Sequence, residues 1–435
     1  MAGCRREAGT GARAGTTIMA EYIAEAELAQ LVKPQHHIFI PGSSGEPSAF
    51  MSALLREPNR TQHAHILTSY VPGINKLDID RFHPTAAVSG LFMQPGLHDA
   101  QRDERYRFLP VTYAGFVRHI RENVELDLTV LQVSPPDEEG LCSLGPAVEF
   151  VPTVIGRSRS ILALVNQRTP RVSGAATVPY SRFDYVCEVD SPLPQYVTPL
   201  DDSSISVARH VASLIDDGST VQIGLGRVPA ALCLQLKDRR NLRFHSGMLS
   251  DGFVDLAAAG AIDESLIHAC CVLVGSESLY GWAAEFEALQ VVGCEVTHDL
   301  QTLAGKDRFI SVNSALEVDL FGQCNLEHAD GRSISGPGGA PDFARGARLS
   351  NGGRSIVALS ATHSAGTGSR VVPQLSERSI ATLSRVDVDY IVTEFGVARL
   401  VGASVHERAK ALIDVAAPAF REGLSRSWRE IAGYL

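Results

Sequence analysis

Three glycine-centred clusters carry the residue types from which a site for an activated acyl group can be assembled. The densest is Ser335-Gly-Pro-Gly-Gly-Ala-Pro-Asp-Phe343, followed by Arg345, Arg348 and Arg354. Successive amides in such a loop aim N–H groups at one point, which suits an oxyanion or a phosphate, and arginine pairs phosphate bidentately. Gly224-Leu-Gly-Arg-Val-Pro229 sets Gly224 and Gly226 ahead of Arg227, and Gly42-Ser-Ser-Gly-Glu-Pro47 repeats the same layout. Each is either an anion seat at a helix start or a tight turn that needs glycine. Between these clusters runs Leu242-Arg-Phe-His-Ser-Gly-Met-Leu-Ser-Asp-Gly252. His245 is its candidate general base, because imidazole titrates near neutral pH; the alternative is a histidine satisfied inside a strand. Ser246 and Cys324 carry nucleophilic atoms, yet neither has a Ser/His/Asp or Cys/His arrangement around it in sequence.

The elements that must hold these residues are legible as short β-branched runs bounded by glycine. Ile38–Ile40, Leu128–Val133, Ile161–Val165, Thr220–Ile223 and Cys271–Val274 read as buried parallel strands. Helical periodicity intervenes, clearest from Ile205 to Asp217, where Val207, Ala208, Val211, Leu214 and Ile215 share a face ahead of Gly218. Strand–helix alternation implies an α/β fold with mainly parallel sheets. The 435 residues exceed one ordinary core. The Pro- and Asp-rich stretch 190–203 sets an expected boundary near 200, giving domains 19–200 and 201–435 behind a Gly-, Ala- and Arg-rich tail over 1–18.

Composition narrows the partners. A net charge of −10 argues against a general nucleic-acid or anionic-membrane surface. No apolar run approaches the ~20 residues that span a bilayer, and no secretory signal opens the chain, so a cytoplasmic location is expected. The eight cysteines are scattered, with no C-x-x-C pair, so reduced thiols and no metal site are expected.

Taken in order, Val133–Gly145, Leu242–Leu256, Asn313–Asn325, Ser335–Phe343 and Val388–Ala398 resemble the acetyl-CoA hydrolase/transferase family of class I CoA-transferases, in particular its 4-hydroxybutyrate CoA-transferase branch. The resemblance implies two tandem CoA-transferase-type α/β domains with the site between them, acyl-CoA and a small-molecule acceptor as substrates, and a homodimer. It assigns Gly224, Gly226, Asn325, Gly338 and Gly339 to binding or oxyanion roles, with Arg227, Arg345 and Arg354 as phosphate contacts. In that family a glutamate carries CoA as a glutamyl thioester, which is nucleophilic catalysis. The family's His-Ser/Thr-Glu-Met reads here His245-Ser246-Gly247-Met248, and Ala340 stands where a glutamine is usual. Glycine has no side chain with which to form an anhydride. Three readings therefore stand: direct acyl transfer or hydrolysis on an acyl-CoA, CoA transfer through a substitute acid (Glu317, Glu327 or Glu394), or acyl-CoA binding without catalysis.

Overall fold

A computed structural model describes residues 20–172, 174–363 and 366–435; the tail expected over 1–18 lies outside them. The first module is an eight-stranded sheet of β1 (Glu21–Tyr22), β2 (His37–Ile40), β3 (His65–Thr68), β4 (Ala87–Gly90), β5 (Tyr106–Phe108), β6 (Leu126–Val133), β7 (Ser158–Asn166) and β8 (Tyr185–Val189). Its order is β1-β8-β7-β6-β2-β3-β4-β5, and every pairing is parallel. Strand β6 is buried at seven of its eight positions, as a strand covered on both faces must be.

The second module has six strands: β9 (Thr220–Ile223), β10 (Arg243–Phe244), β11 (Phe309–Ser314), β12 (Arg354–Ala358), β13 (Tyr390–Thr393) and β14 (Gly396–Arg399). They run in the order β10-β9-β11-β12-β13-β14, parallel except for the β13–β14 hairpin. The strand order reverses direction between β9 and β11, so the loops leaving these two strands part and open a crevice at their carboxyl ends.

Helices α1 (Ser48–Arg56), α2 (Tyr113–Asn123), α3 (Asp202–Ala212), α4 (Arg227–Gln235), α5 (Cys294–Thr297) and α6 (Ala340–Leu349) set the approach to that crevice. The Asp201 carboxylate caps α3 by accepting from Ser204 N, and the helix ends at Ala212, six residues short of the expected glycine stop. The run Cys271–Val274 is the other departure from expectation. Only Val272 and Leu273 pair there, with Met248 and Leu249, in a two-stranded ribbon outside both main sheets.

The largest apolar core belongs to both modules. It joins Leu131, Val133 and Ile161 of the first sheet to Val207, Val221 and Ile310 of the second without a break. Each fully buried Val, Leu or Ile in it contributes about 1.5–3 kcal/mol relative to exposure, so the seam between the modules is held by the same packing that holds each sheet.

Candidate active site

The strand ends of both sheets face one cleft of about 250 Å³. The first module supplies Val71 and Pro72 beyond β3, Phe92 beyond β4, and Tyr113 at the start of α2. The second supplies Gly224 after β9, Asn313 from the end of β11, and the loop Ser335–Ala340 that runs into α6. Gly247, Met248, Cys271, Val272, His298 and Phe343 also line it. The N–H groups of Gly338 and Gly339 have no acceptor among the described residues and lie at the start of the ten-residue helix α6. Free amides there, with the helix dipole behind them, favour a developing oxyanion. Gly338 holds φ +54°, a conformation side-chain-bearing residues rarely adopt.

Gly247 is fixed by its carbonyl, which accepts from Cys271 N at 3.0 Å, Val272 N at 3.2 Å and Cys271 Sγ at 2.9 Å. A side chain here would be crowded by His298 and Phe343. A Cβ on Gly247 would stand 3.3 Å from His298 Nε2 and 3.3 Å from Phe343 Cε2, and one on Gly339 would overlap the same imidazole. The ring is 1% exposed and packs against Tyr113 and Phe343, with centroids 4.8 and 4.5 Å away. Its Nδ1 lies 2.9 Å from Thr297 Oγ1, whose hydroxyl donates to Gly293 O at 3.5 Å. The donor in the Thr297–His298 contact follows the imidazole tautomer, and Nε2 is the ring nitrogen nearest Gly247. Burial, reinforced by the neighbouring His245, pushes the His298 pKa down to about 3, so the ring is neutral at physiological pH.

The residues expected from sequence separate into three groups. Gly224, Gly338 and Gly339 line the cleft with Gly247. Gly226 lines a smaller side cavity of about 120 Å³ that shares Gly224 and Leu225 with the cleft, and Arg345, with Glu327, lines a larger one of about 420 Å³ that shares Pro337. The remaining residues are engaged elsewhere. His245 is buried outside the lining, its Nε2 bonded to Thr297 O at 3.0 Å and its pKa lowered to about 3 by burial. A nitrogen committed to a backbone carbonyl has no access to substrate, so the satisfied-histidine alternative describes it. Ser246 Oγ donates to Ile223 O, and Cys324 is a buried core thiol. Asn325 spends its amide on Glu317, His328 O and the N–H groups of Glu327 and His328.

None of the three candidate substitute acids lines the cleft. Glu317 accepts from Asn325 and Ser379, Glu327 from Thr382, and Glu394 from Ala361 N. Arg227 pairs with Asp201 at 2.7 Å. Arg354 opens β12, whose opposite end reaches toward the cleft; it holds Leu214 O and Asp216 instead. The first glycine turn is a turn and not an anion seat: Gly42 N is taken by Ser69 Oγ and Ser43 N by Asn75 Oδ1.

Sequence reasoning passed over His298, Cys271, Cys294 and Glu149. Glu149 is buried under Ser43 and Ser69, whose hydroxyls donate to it at 2.8 and 3.0 Å, and burial lifts its pKa to about 7. Among the described residues, ligand atoms of Cys271, Cys294 and His298 lie within 4.8 Å of one another, against the expectation of scattered thiols. The signal available in sequence was Cys294-x-x-x-His298, one helical turn apart.

Two α/β modules with mainly parallel sheets meet at a cleft bordered by free glycine amides, and the similarities that follow make the chain an acyl-CoA transferase or hydrolase. The chain belongs to the acetyl-CoA hydrolase/transferase family: the N-terminal domain of that family matches residues 19–197 and the C-terminal domain residues 275–428. It is 32% identical over 394 residues to a 4-hydroxybutyrate coenzyme A transferase of Clostridium kluyveri, covering 89% of this chain and 92% of that one. It is 30% identical over 418 residues to the succinyl-CoA:cyclohexane-1-carboxylate CoA transferase of Geobacter metallireducens, covering 93% and 94%. Its fold is similar to RipA from Yersinia pestis, with a TM-score of 0.87 at 28% identity over 95% of this chain and 98% of that one. No helix among the described residues is long and apolar enough to cross a membrane.

Proposed function

We propose that this protein acts on an acyl-CoA by direct acyl transfer or hydrolysis, without a glutamyl-CoA intermediate. The observation that carries the reading is the cleft at Gly247: among the described residues no carboxylate lines it, and the imidazole of His298 lies 3.3 Å from where a Cβ would sit. The thioester carbonyl is placed against the N–H groups of Gly338 and Gly339, which stabilise charge as the tetrahedral intermediate forms. An attacking water, amine, alcohol or carbanion seated beside Gly247 meets Nε2 of His298, which takes its proton in the tautomer protonated at Nδ1. CoA runs along the flanking cavities, one floored by Gly226 and the other bordered by Arg345. The CoA-transferase relatives support an acyl-CoA substrate, and the reading includes a homodimer, from the family resemblance, and the cytoplasmic location expected from the sequence.

The test is mass spectrometry of acyl-CoA mixtures incubated with the protein in H₂¹⁸O, with carboxylate, amine or alcohol added and borohydride present as a trap. Acyl product with ¹⁸O or the added acceptor incorporated, and no modified glutamate, is the expected result. A borohydride-reduced glutamate anywhere in the chain refutes the direct route.

A further inference from the structure

The cluster beside Gly247 has the donor set of a soft metal centre. Cys271 follows the short strand His268–Cys270, and Cys294 and His298 lie one turn apart on and just beyond α5. The two cysteines are 0% exposed and the histidine 1%. Two thiols and an imidazole suit zinc over calcium or magnesium, which take oxygen donors.

We infer that Cys271, Cys294 and His298 bind a divalent zinc ion whose fourth coordination position opens into the cleft at Gly247. Three observations converge on it. The ligand atoms lie within 4.8 Å of one another, and a tetrahedral zinc with bonds of roughly 2.0–2.3 Å sets its ligands about 3.5–3.8 Å apart, so a closure of about 1 Å suffices. The threonine hydroxyl 2.9 Å from His298 Nδ1 is placed to serve as the outer hydrogen-bond partner that orients a metal-ligating imidazole bound through Nε2. Cys271 and His298 both line the cleft, whereas Cys294 does not, so the side of the cluster opposite Cys294 is the accessible one.

A glycine at 247 is what such a centre requires. A side chain there would press on the imidazole that serves as a ligand. Binding converts two thiols to thiolates with release of two protons, and the open position takes a water whose acidity the ion raises. The inference rests on the proposed use of this cleft for direct acyl chemistry, and it makes His298 a ligand while metal-bound hydroxide attacks. In hydrolysis the hydroxide oxygen bonds the thioester carbon, the C–S bond breaks with its electron pair going to sulfur, and a proton from solvent yields free CoA.

The experiment uses the full chain purified under reducing conditions, stripped with a chelator and titrated with Zn²⁺ and with Co²⁺. About one equivalent should bind, with two protons released into a weakly buffered solution and thiolate-to-Co²⁺ charge-transfer bands appearing in the near ultraviolet. Cys294→Ser should weaken binding by at least about 100-fold, beyond the ~10–100-fold cost of an outer-shell change. Cys324→Ser, in a separate core, should leave binding unchanged and serves as the folding control. Failure to bind either ion while the protein is folded and its thiols titrate as free overturns the inference, as does binding that survives Cys294→Ser. Acyl product without metal and without an enzyme adduct refutes the attack by metal-bound hydroxide and leaves the direct route intact. Metal binding without turnover of any acyl-CoA does the reverse.

Discussion

Restoring a side chain at position 247 tests whether His298 has taken the space of the family's glutamate. The backbone there is not in the left-handed region, so any penalty comes from packing alone. The first added atom stands 3.3 Å from both His298 Nε2 and Phe343 Cε2, closer than carbon ordinarily approaches either, so a neighbour must shift by a few tenths of an ångström. The imidazole is confined by Tyr113, Phe343 and the Thr297 hydrogen bond, leaving little room to yield. Overpacking of this kind costs about 1–3 kcal/mol. Gly247→Ala should lose about that much in urea denaturation with an unchanged m-value. Gly247→Glu should show negligible acetate-dependent CoA transfer while His298 remains. In Gly247→Glu/His298→Ala the vacated imidazole volume admits the carboxylate, and transfer should appear with a borohydride-trapped adduct at position 247. A neutral or stabilising Gly247→Ala would refute the packing argument. A folded double variant that binds acyl-CoA without transferring it would refute the claim that the rest of the scaffold is competent for the family's reaction.

Two further perturbations separate chemistry from architecture. Asp342 is buried at the module seam, accepts from Ala114 N at 3.1 Å, and has its pKa pushed up to about 6 by burial. A raised acid is protonated more readily folded than unfolded. Its unfavourable contribution is absent below about pH 4, grows with rising pH, and is complete above about 6, at up to ~3 kcal/mol. Asp342→Asn should therefore raise the melting temperature at pH 8, by about twice as much in free energy as at pH 5; an equal gain at both pH values would contradict the assignment. Arg345→Ala, beside the flanking cavity, should raise KM for acyl-CoA about 5–10-fold, the worth of one phosphate contact of about 1–1.4 kcal/mol. Arg354→Ala should leave KM within about twofold and cost about 1 kcal/mol of stability through its lost carbonyl and Asp216 contacts.

Much of the scaffold was legible because parallel strands covered on both faces must be continuously apolar, and Thr220–Ile223, Leu126–Val133 and Ser158–Asn166 stand where such runs occur. The meeting of Gly224, Gly247 and Gly338–Gly339 in one cleft followed from motif order. Strand polarity, had it been applied, would have removed Arg354 from the site: it begins a strand whose far end lies about 13 Å nearer the cleft. His298 was not legible, because what gives it meaning is tertiary. One turn of helix joins it to Cys294, but Cys271 reaches both only through the ribbon that pairs Val272–Leu273 with Met248–Leu249. His245 misled for a related reason, since its sequence setting matches a catalytic motif while its ring nitrogen is held by Thr297 O.

The apolar core continuous between Leu131 and Ile310 has a consequence for inheritance. Each half also has a core of its own, yet the largest one is shared, so recombination that imports one half from a relative must also match the side chains of the other across that seam. Changes at the cleft, where loops leave both sheets, carry no such obligation. Lineages of this architecture are therefore free to diverge in chemistry residue by residue while keeping their two halves as a single inherited unit.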